Sequence, residues 1–72
     1  MKPQDYEVDI SPLSEDDGGG YAAIVPELPG CRSDGETPHE ALTNAYDAIA
    51  CWIEAAVELG RPVPRPRRVT AA

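Results

Sequence analysis

The sequence predicts an α+β fold in which a small antiparallel sheet of three or four strands carries one long helix on one face. Three observations indicate this fold. Residues 5–11 alternate between polar and apolar side chains, as a half-buried strand does. A glycine-rich stretch separates them from a second apolar run at residues 21–28, which is typical of a hairpin. From residue 38 onward, apolar positions recur at steps of three and four, the period of an amphipathic helix.

The first two strands should bury one side each. Their inward positions are all apolar: Tyr6, Val8, Ile10, Tyr21, Ala23 and Val25. We expect Pro12 and the glycines to break the first strand. We expect Pro26 to end the second, because proline cannot donate to a sheet ladder. Residues 31–35 are long enough for a short third strand, and "RRVTA" at residues 67–71 could add a fourth strand at an edge.

The start of the helix has the strongest local signal. In "TPHEA", Thr37 is placed as the N-cap, Pro38 occupies the first helical position, and Glu40 completes a capping box. Gly60 is a natural stop, so the helix should run from Pro38 to about Leu59. Its apolar face contains Leu42, Ala45, Ile49, Trp52, Ile53 and Ala56.

The charge of the chain argues against nucleic acid as a main ligand. Thirteen acidic side chains against six Lys and Arg give a formal net charge of −7. Residues 1–60 hold all thirteen acids and only two basic residues, a balance of −11, whereas residues 61–72 hold four arginines and no acid. Nucleic-acid binding needs clustered positive charge, so a basic protein partner is expected.

The residues that could carry chemistry do not form a recognisable site. His39 is the single histidine and lies beside Glu40, but no nucleophile is paired with it, so an exposed first-turn residue is expected. Cys31 and Cys51 have neither zinc-site spacing nor an adjacent base. We expect Cys31 to be packed in a turn, Cys51 to be inert on the flank of the helix, and both thiols to be reduced. The sequence therefore predicts no catalytic residue, no metal site and no cofactor.

The location and organisation of the chain follow from similar arguments. No apolar stretch follows Met1 and none is long enough to span a membrane, so a cytoplasmic protein is expected. Residues 1–64 are expected to form one domain, followed by an arginine- and proline-rich arm or weak edge strand at residues 65–72. A domain this small offers little room for a deep pocket, so association into a homo-oligomer, a dimer or tetramer, is expected.

The most distinctive part of the sequence is "GYAAIVPELPGCRSDGETPHEAL", followed by "NAYDAI". With this part, the stretch from Tyr6 to Pro64 resembles the N-terminal domain of HicB antitoxins. The matching positions include Pro26, Leu28, Pro29, Gly30, Gly35, Thr37, Glu40 and Ala41. The resemblance implies a partial RNase H-like fold that lacks the metal-binding acids of the nuclease.

The resemblance also implies a function. HicB proteins bind and silence HicA toxins, which are small, basic and RNA-cleaving. We therefore expect an antitoxin that is not an enzyme and that docks through acidic helix residues, for which we nominate Asp47, Glu54 and Glu58. Two-domain members carry a C-terminal DNA-binding domain that this chain does not show, so direct DNA binding is not expected from it alone.

Two alternatives stay open at the level of sequence. The chain could be an orphan HicB-like module that acts as a homo-oligomeric binding or regulatory domain without a toxin. It could also be a residual metal-dependent nuclease, for which Asp9 is the residue to test. Convergent carboxylates would be needed for that chemistry, and their spacing here does not indicate them.

Overall fold

Within residues 2–66, three strands and one α-helix follow each other in the order that the sequence predicts. The computed structural model describes residues 2–66. The strands are β1 (Asp9–Pro12), β2 (Tyr21–Ile24) and β3 (Arg32–Gly35), and they form one antiparallel sheet in the order β1-β2-β3. The helix α1 (Pro38–Glu58) packs across this sheet. The predicted α+β fold is confirmed, and the predicted fourth strand lies outside the described residues.

The first strand differs from its prediction at both ends. Pairing begins only at Asp9, and a turn of 3₁₀ helix lies earlier in the chain at Pro3–Asp5. The strand ends at Pro12, as predicted, although Pro12 itself still pairs with Tyr21 and belongs to the strand. The next residue, Leu13, donates its N–H to the Gly20 carbonyl of the neighbouring strand end (2.8 Å). By alternation, the Pro12 nitrogen faces away from β2, where a missing N–H costs no ladder bond.

The helix begins at the predicted cap, with one correction. The Thr37 hydroxyl accepts the N–H of Glu40 (3.0 Å), as expected. The Glu40 carboxylate, however, accepts the N–H of Glu36 (3.0 Å) and not the N–H of Thr37. The predicted capping box is therefore displaced by one residue. Because the directions of backbone N–H groups alternate along a strand, the Glu36 N–H points away from β2, and the Glu40 carboxylate can reach it. The Asn44 amide also donates to the Asp34 carbonyl (2.8 Å) and ties the helix to the edge of β3.

The helix ends in a Schellman motif. Arg61 donates its N–H to the Ala56 carbonyl (2.8 Å), and Gly60 donates to the Val57 carbonyl (3.1 Å). Gly60 has a φ of +70°, a conformation that glycine adopts without strain. The predicted stop is confirmed, with Leu59 as the C-cap residue.

The core changes character along the helix. Next to the first half of α1, it consists of the fully buried alanines Ala23, Ala41 and Ala45. A Cβ on Gly35 would lie only 2.4 Å from the Ala41 nitrogen, so strand and helix backbones nearly touch here. Next to the second half, the core consists of larger side chains: Tyr6, Val25, Leu28, Cys31 and Ile49. Small side chains therefore separate helix and sheet near the start of α1, whereas larger side chains fill the core near its end.

Candidate partner-binding surfaces

The proline- and glycine-rich corner between β2 and β3 is structural. Leu28 donates its N–H to the Val25 carbonyl (3.2 Å) and accepts the N–H of Cys31 (2.9 Å), which makes two consecutive turns. The Leu28 side chain is completely buried. The indole nitrogen of Trp52 donates to the Pro29 carbonyl (3.0 Å), so the corner is also bound to the helix.

The candidate chemical groups of this region are not assembled into a reactive site. Cys31 is buried, and burial raises the pKa of its thiol, which disfavours the thiolate that a nucleophile needs. His39 and Cys51 are exposed on the helix. Within residues 2–66, no group of three or more His, Cys, Asp or Glu side chains is arranged to hold a metal ion.

The three nominated acids form one surface, which we call the acidic stripe (Asp47, Glu54 and Glu58). All three are exposed on α1. At about 100° per residue, they fall within an arc of roughly 40° and span about 17 Å along the helix. The stripe points away from the sheet, because the buried positions Ala45 and Ile49 lie on the opposite side of the helix. Sequence periodicity had therefore placed these residues on a common face correctly.

A second surface, the apolar groove, was not predicted. It is a cavity of about 420 Å³ beside the last turns of α1. The helix contributes one side of it: Trp52, Ala55, Ala56 and Leu59. Leu59 is 67% exposed, so its side chain lies at the rim and is not part of the core.

The other side of the apolar groove comes from the corner and from the chain after the helix: Pro29, Arg61, Pro62 and Pro64. This segment is held in place by the Tyr6 hydroxyl, which donates to the Pro64 carbonyl (2.5 Å). Burial raises the pKa of the Tyr6 phenol, with smaller contributions from the negative charges of Glu27 and Asp5. The sequence shows the prolines but not this contact, because its partners are 58 residues apart.

The family of the chain is decided by a match along nearly its whole length. Residues 6–72 match the family model described as HicB-like antitoxin of bacterial toxin-antitoxin system. The chain belongs to this family. A UPF0150 protein of Synechocystis sp. is 42% identical over 53 residues, which cover 74% of this chain and 67% of that protein. A UPF0150 protein of Thermoplasma acidophilum is 40% identical over 53 residues, covering 74% and 77% respectively.

A relative with a functional name is also similar. Antitoxin HicB 1 of Photorhabdus laumondii is 33% identical over 66 residues, which make up 92% of this chain but only 41% of that antitoxin. The HicB-like chain thus spans less than half of this relative.

Among residues 2–66, the HicB-like chain has no helix long and apolar enough to cross a membrane.

Proposed function

We propose that this HicB-like chain is the antitoxin of a HicAB-type system and neutralises a small, basic, RNA-cleaving toxin of the HicA type. The observation that carries the proposal is the acidic stripe on the exposed face of α1. Family membership supports a toxin as partner in general. The HicA type is the partner that the resemblance implies, and its basic charge is complementary to the stripe.

The proposed mechanism is occlusion without catalysis by the antitoxin. An RNA-cleaving toxin binds phosphates through positively charged side chains. Asp47, Glu54 and Glu58 would pair with those side chains and cover the RNA-binding face. The excess of acids over residues 1–60 would also accelerate encounter with a basic partner, as complementary charge does in general.

The same proposal covers organisation and location. Residues 1–64 would form the toxin-binding domain with a partial RNase H-like fold, and residues 65–72 an arginine-rich arm. The protein would act in the cytoplasm, where its toxin cleaves RNA, and without a cofactor.

The test is to search the neighbouring reading frames for a small basic protein and to measure its affinity for this chain with and without charge reversal on the acidic stripe. The Asp47→Lys/Glu54→Lys variant should weaken binding at least about tenfold, and the wild-type affinity should fall with added salt. Glu15→Lys/Asp16→Lys is the matched control, because it makes the same charge change at exposed positions of the hairpin loop. His39→Ala should leave toxin neutralisation unchanged.

Three results would contradict the proposal. Absence of binding to a small basic protein encoded nearby would favour the orphan module. If charge reversal on the stripe weakened binding no more than the loop control, the docking face would lie elsewhere. RNA cleavage by the pure chain with Mg²⁺, abolished by Asp9→Asn, would indicate the residual nuclease.

A further inference from the structure

The strand β1 has a neighbouring strand on one side only, among residues 2–66. Leu13 donates its N–H to the Gly20 carbonyl across the hairpin (2.8 Å), so by alternation Ile10 directs both its N–H and its carbonyl away from β2. Pro12 offers only a carbonyl on this side. We call these outward backbone groups of Ile10 and Pro12 the open edge. Unpaired strand edges attract other extended segments, and proteins usually cover them.

The opposite edge of the sheet, at β3, is already covered by the helix. The Asn44 amide donates to the outward carbonyl of Asp34 (2.8 Å). The Glu40 carboxylate accepts the outward N–H of Glu36 (3.0 Å). Within residues 2–66, β1 is therefore the side of the sheet at which a further strand can be added.

The helix provides an apolar shelf beside the open edge. Among the strands, α1 packs most extensively against β3 and least against β1. Trp52 donates to the Pro29 carbonyl, so this flank of α1 faces the corner between β2 and β3. Leu42, Tyr46 and Ile53 lie on the other flank, toward β1, and all three are half-buried. A strand added to β1 would therefore lay its helix-facing side on apolar side chains.

The open edge specifies the side chains of its occupant. Ile10 faces the helix and packs beside Ala23, so an apolar side chain fits next to it. Asp9 is exposed on the other face of the sheet, so a basic side chain fits next to it. Arg68 and Val69 supply this pair in consecutive positions, and they lie outside the described residues. We propose that the arginine-rich arm adds to β1 as a parallel edge strand, with Val69 beside Ile10 and Arg68 beside Asp9.

The hydrogen bonds of this register follow from the geometry of parallel pairing. The Ile10 N–H donates to the Arg68 carbonyl, and the Ile10 carbonyl accepts the N–H of Thr70. Arg68 and Asp9 then form an opposite-charge pair between neighbouring strands.

The arm is already held at the correct end of β1. The Tyr6 hydroxyl donates to the Pro64 carbonyl, which brings the chain after the helix close to the residues that precede β1. Five residue steps separate Pro64 from Val69, and four separate Tyr6 from Ile10. Extended chain covers about 16 Å and about 13 Å in these steps, so the arm is long enough to reach Ile10 while it runs parallel to β1.

Charge favours the arm over other occupants of the open edge. Residues 1–60 carry a balance of −11, whereas residues 61–72 hold four arginines and no acid. A second copy of the chain has a net charge of −7 and is repelled, while the arm is attracted and is tethered beside the edge. Arg68 is then used within the chain and is not available to nucleic acid. The proposal involves no toxin, so it is independent of the proposed function.

The experiment is amide hydrogen exchange of the full chain, followed residue by residue by nuclear magnetic resonance. The Ile10 N–H should be protected, and Val69→Asp should speed its exchange at least about tenfold. The Ser11 N–H points toward β2 and is the internal reference, because its exchange should change less than about threefold. A nuclear Overhauser contact between the Val69 methyl groups and Ile10 should accompany the protection.

Charge exchange tests the pairing of Arg68 with Asp9. Arg68→Asp and Asp9→Arg should each speed exchange of the Ile10 N–H, and the combined Arg68→Asp/Asp9→Arg variant should restore it to within about threefold of wild type. Ala72→Asp is the matched control for Val69→Asp, because it adds the same charge past the position that pairs with Pro12, and it should leave the Ile10 N–H protected. Circular dichroism establishes that each variant is folded.

Four outcomes would overturn the proposal. The Ile10 N–H could exchange as rapidly as the N–H of Asp16 in the exposed hairpin loop, which would leave the edge uncovered. Val69→Asp could leave the exchange of the Ile10 N–H unchanged. The combined charge exchange could fail to restore the protection. The protection could rise with protein concentration, which would mean that a second copy of the chain covers the edge.

Discussion

Replacement of Gly35 by alanine tests the close approach of the helix to the sheet. Gly35 is the last residue of β3, and its φ lies outside the left-handed region, so alanine is compatible with its backbone conformation. The obstacle is space. An added Cβ would lie 2.4 Å from the Ala41 nitrogen, 2.8 Å from the Glu40 carbonyl carbon and 2.9 Å from the Ala41 Cα. All three are backbone atoms of the first helical turn and cannot rotate away.

The expected loss follows from two opposing effects. Ordinary contact of a Cβ begins at 3.4 Å, so helix and strand must separate by about 1 Å. Overpacking of this kind costs about 1–3 kcal/mol. Replacing glycine lowers the entropy of the unfolded chain and recovers about 0.4–1 kcal/mol. Because the clash involves backbone, we expect a net loss of about 2 kcal/mol, which lowers the melting temperature by roughly 8–16 °C in a domain of this size.

The assay is thermal and urea denaturation followed by far-ultraviolet circular dichroism. Gly18→Ala is the control, because Gly18 has a φ of +98° and no atom within 4 Å of an added Cβ. Gly18→Ala should lower the free energy of unfolding only through backbone strain, by about 1–2 kcal/mol. Gly35→Val should lower the free energy of unfolding more than Gly35→Ala does. The reasoning would be refuted if Gly35→Ala were as stable as the wild-type chain, or if Gly35→Val were no worse than Gly35→Ala.

Two further predictions concern single hydrogen bonds. Thr37→Ala removes the oxygen that accepts the Glu40 N–H and should lower the free energy of unfolding by about 1 kcal/mol. Thr37→Ser keeps a hydroxyl and should retain most of this stabilisation. An unchanged urea midpoint for Thr37→Ala would contradict the cap. Tyr6→Phe removes the bond to the Pro64 carbonyl and should cost about 0.5–1.5 kcal/mol in the same assay. The pKa of the Tyr6 phenol is raised above 10.0, so above pH 10 the unfolded chain releases this proton before the folded one does. The free energy of unfolding should therefore fall as pH rises through this range, and this fall should be smaller in Tyr6→Phe. Equal pH profiles of the two proteins would show that Tyr6 does not cause the fall.

Local signals were sufficient where the stabilising contact is also local. Thr37 caps α1 and Gly60 ends it as predicted, because both bond to backbone groups within a few residues. The pairing of Pro12 within the end of β1 was not predictable from local signals. Whether a proline fits in a strand depends on the direction of its nitrogen relative to the neighbouring strand, and the pairing register decides that direction.

Of the two candidate surfaces, one could be predicted from local sequence patterns and the other could not. The acidic stripe was predictable, since helical periodicity alone brings Asp47, Glu54 and Glu58 to one face. The apolar groove was not, because it requires the contact between Tyr6 and Pro64 and the bond from Trp52 to Pro29. No periodicity links such distant positions.

By itself, the sequence determined the strand and helix segments, the helix ends, the acidic helix face and the family likeness. These follow from backbone preferences and side-chain periods over a few residues. Only the tertiary structure decided how closely α1 approaches β3 at Gly35 and which larger side chains fill the core around Ile49. That packing depends on the volumes of side chains brought together from distant parts of the chain. The groove beside which Leu59 stays exposed likewise combines residues that are far apart in the sequence.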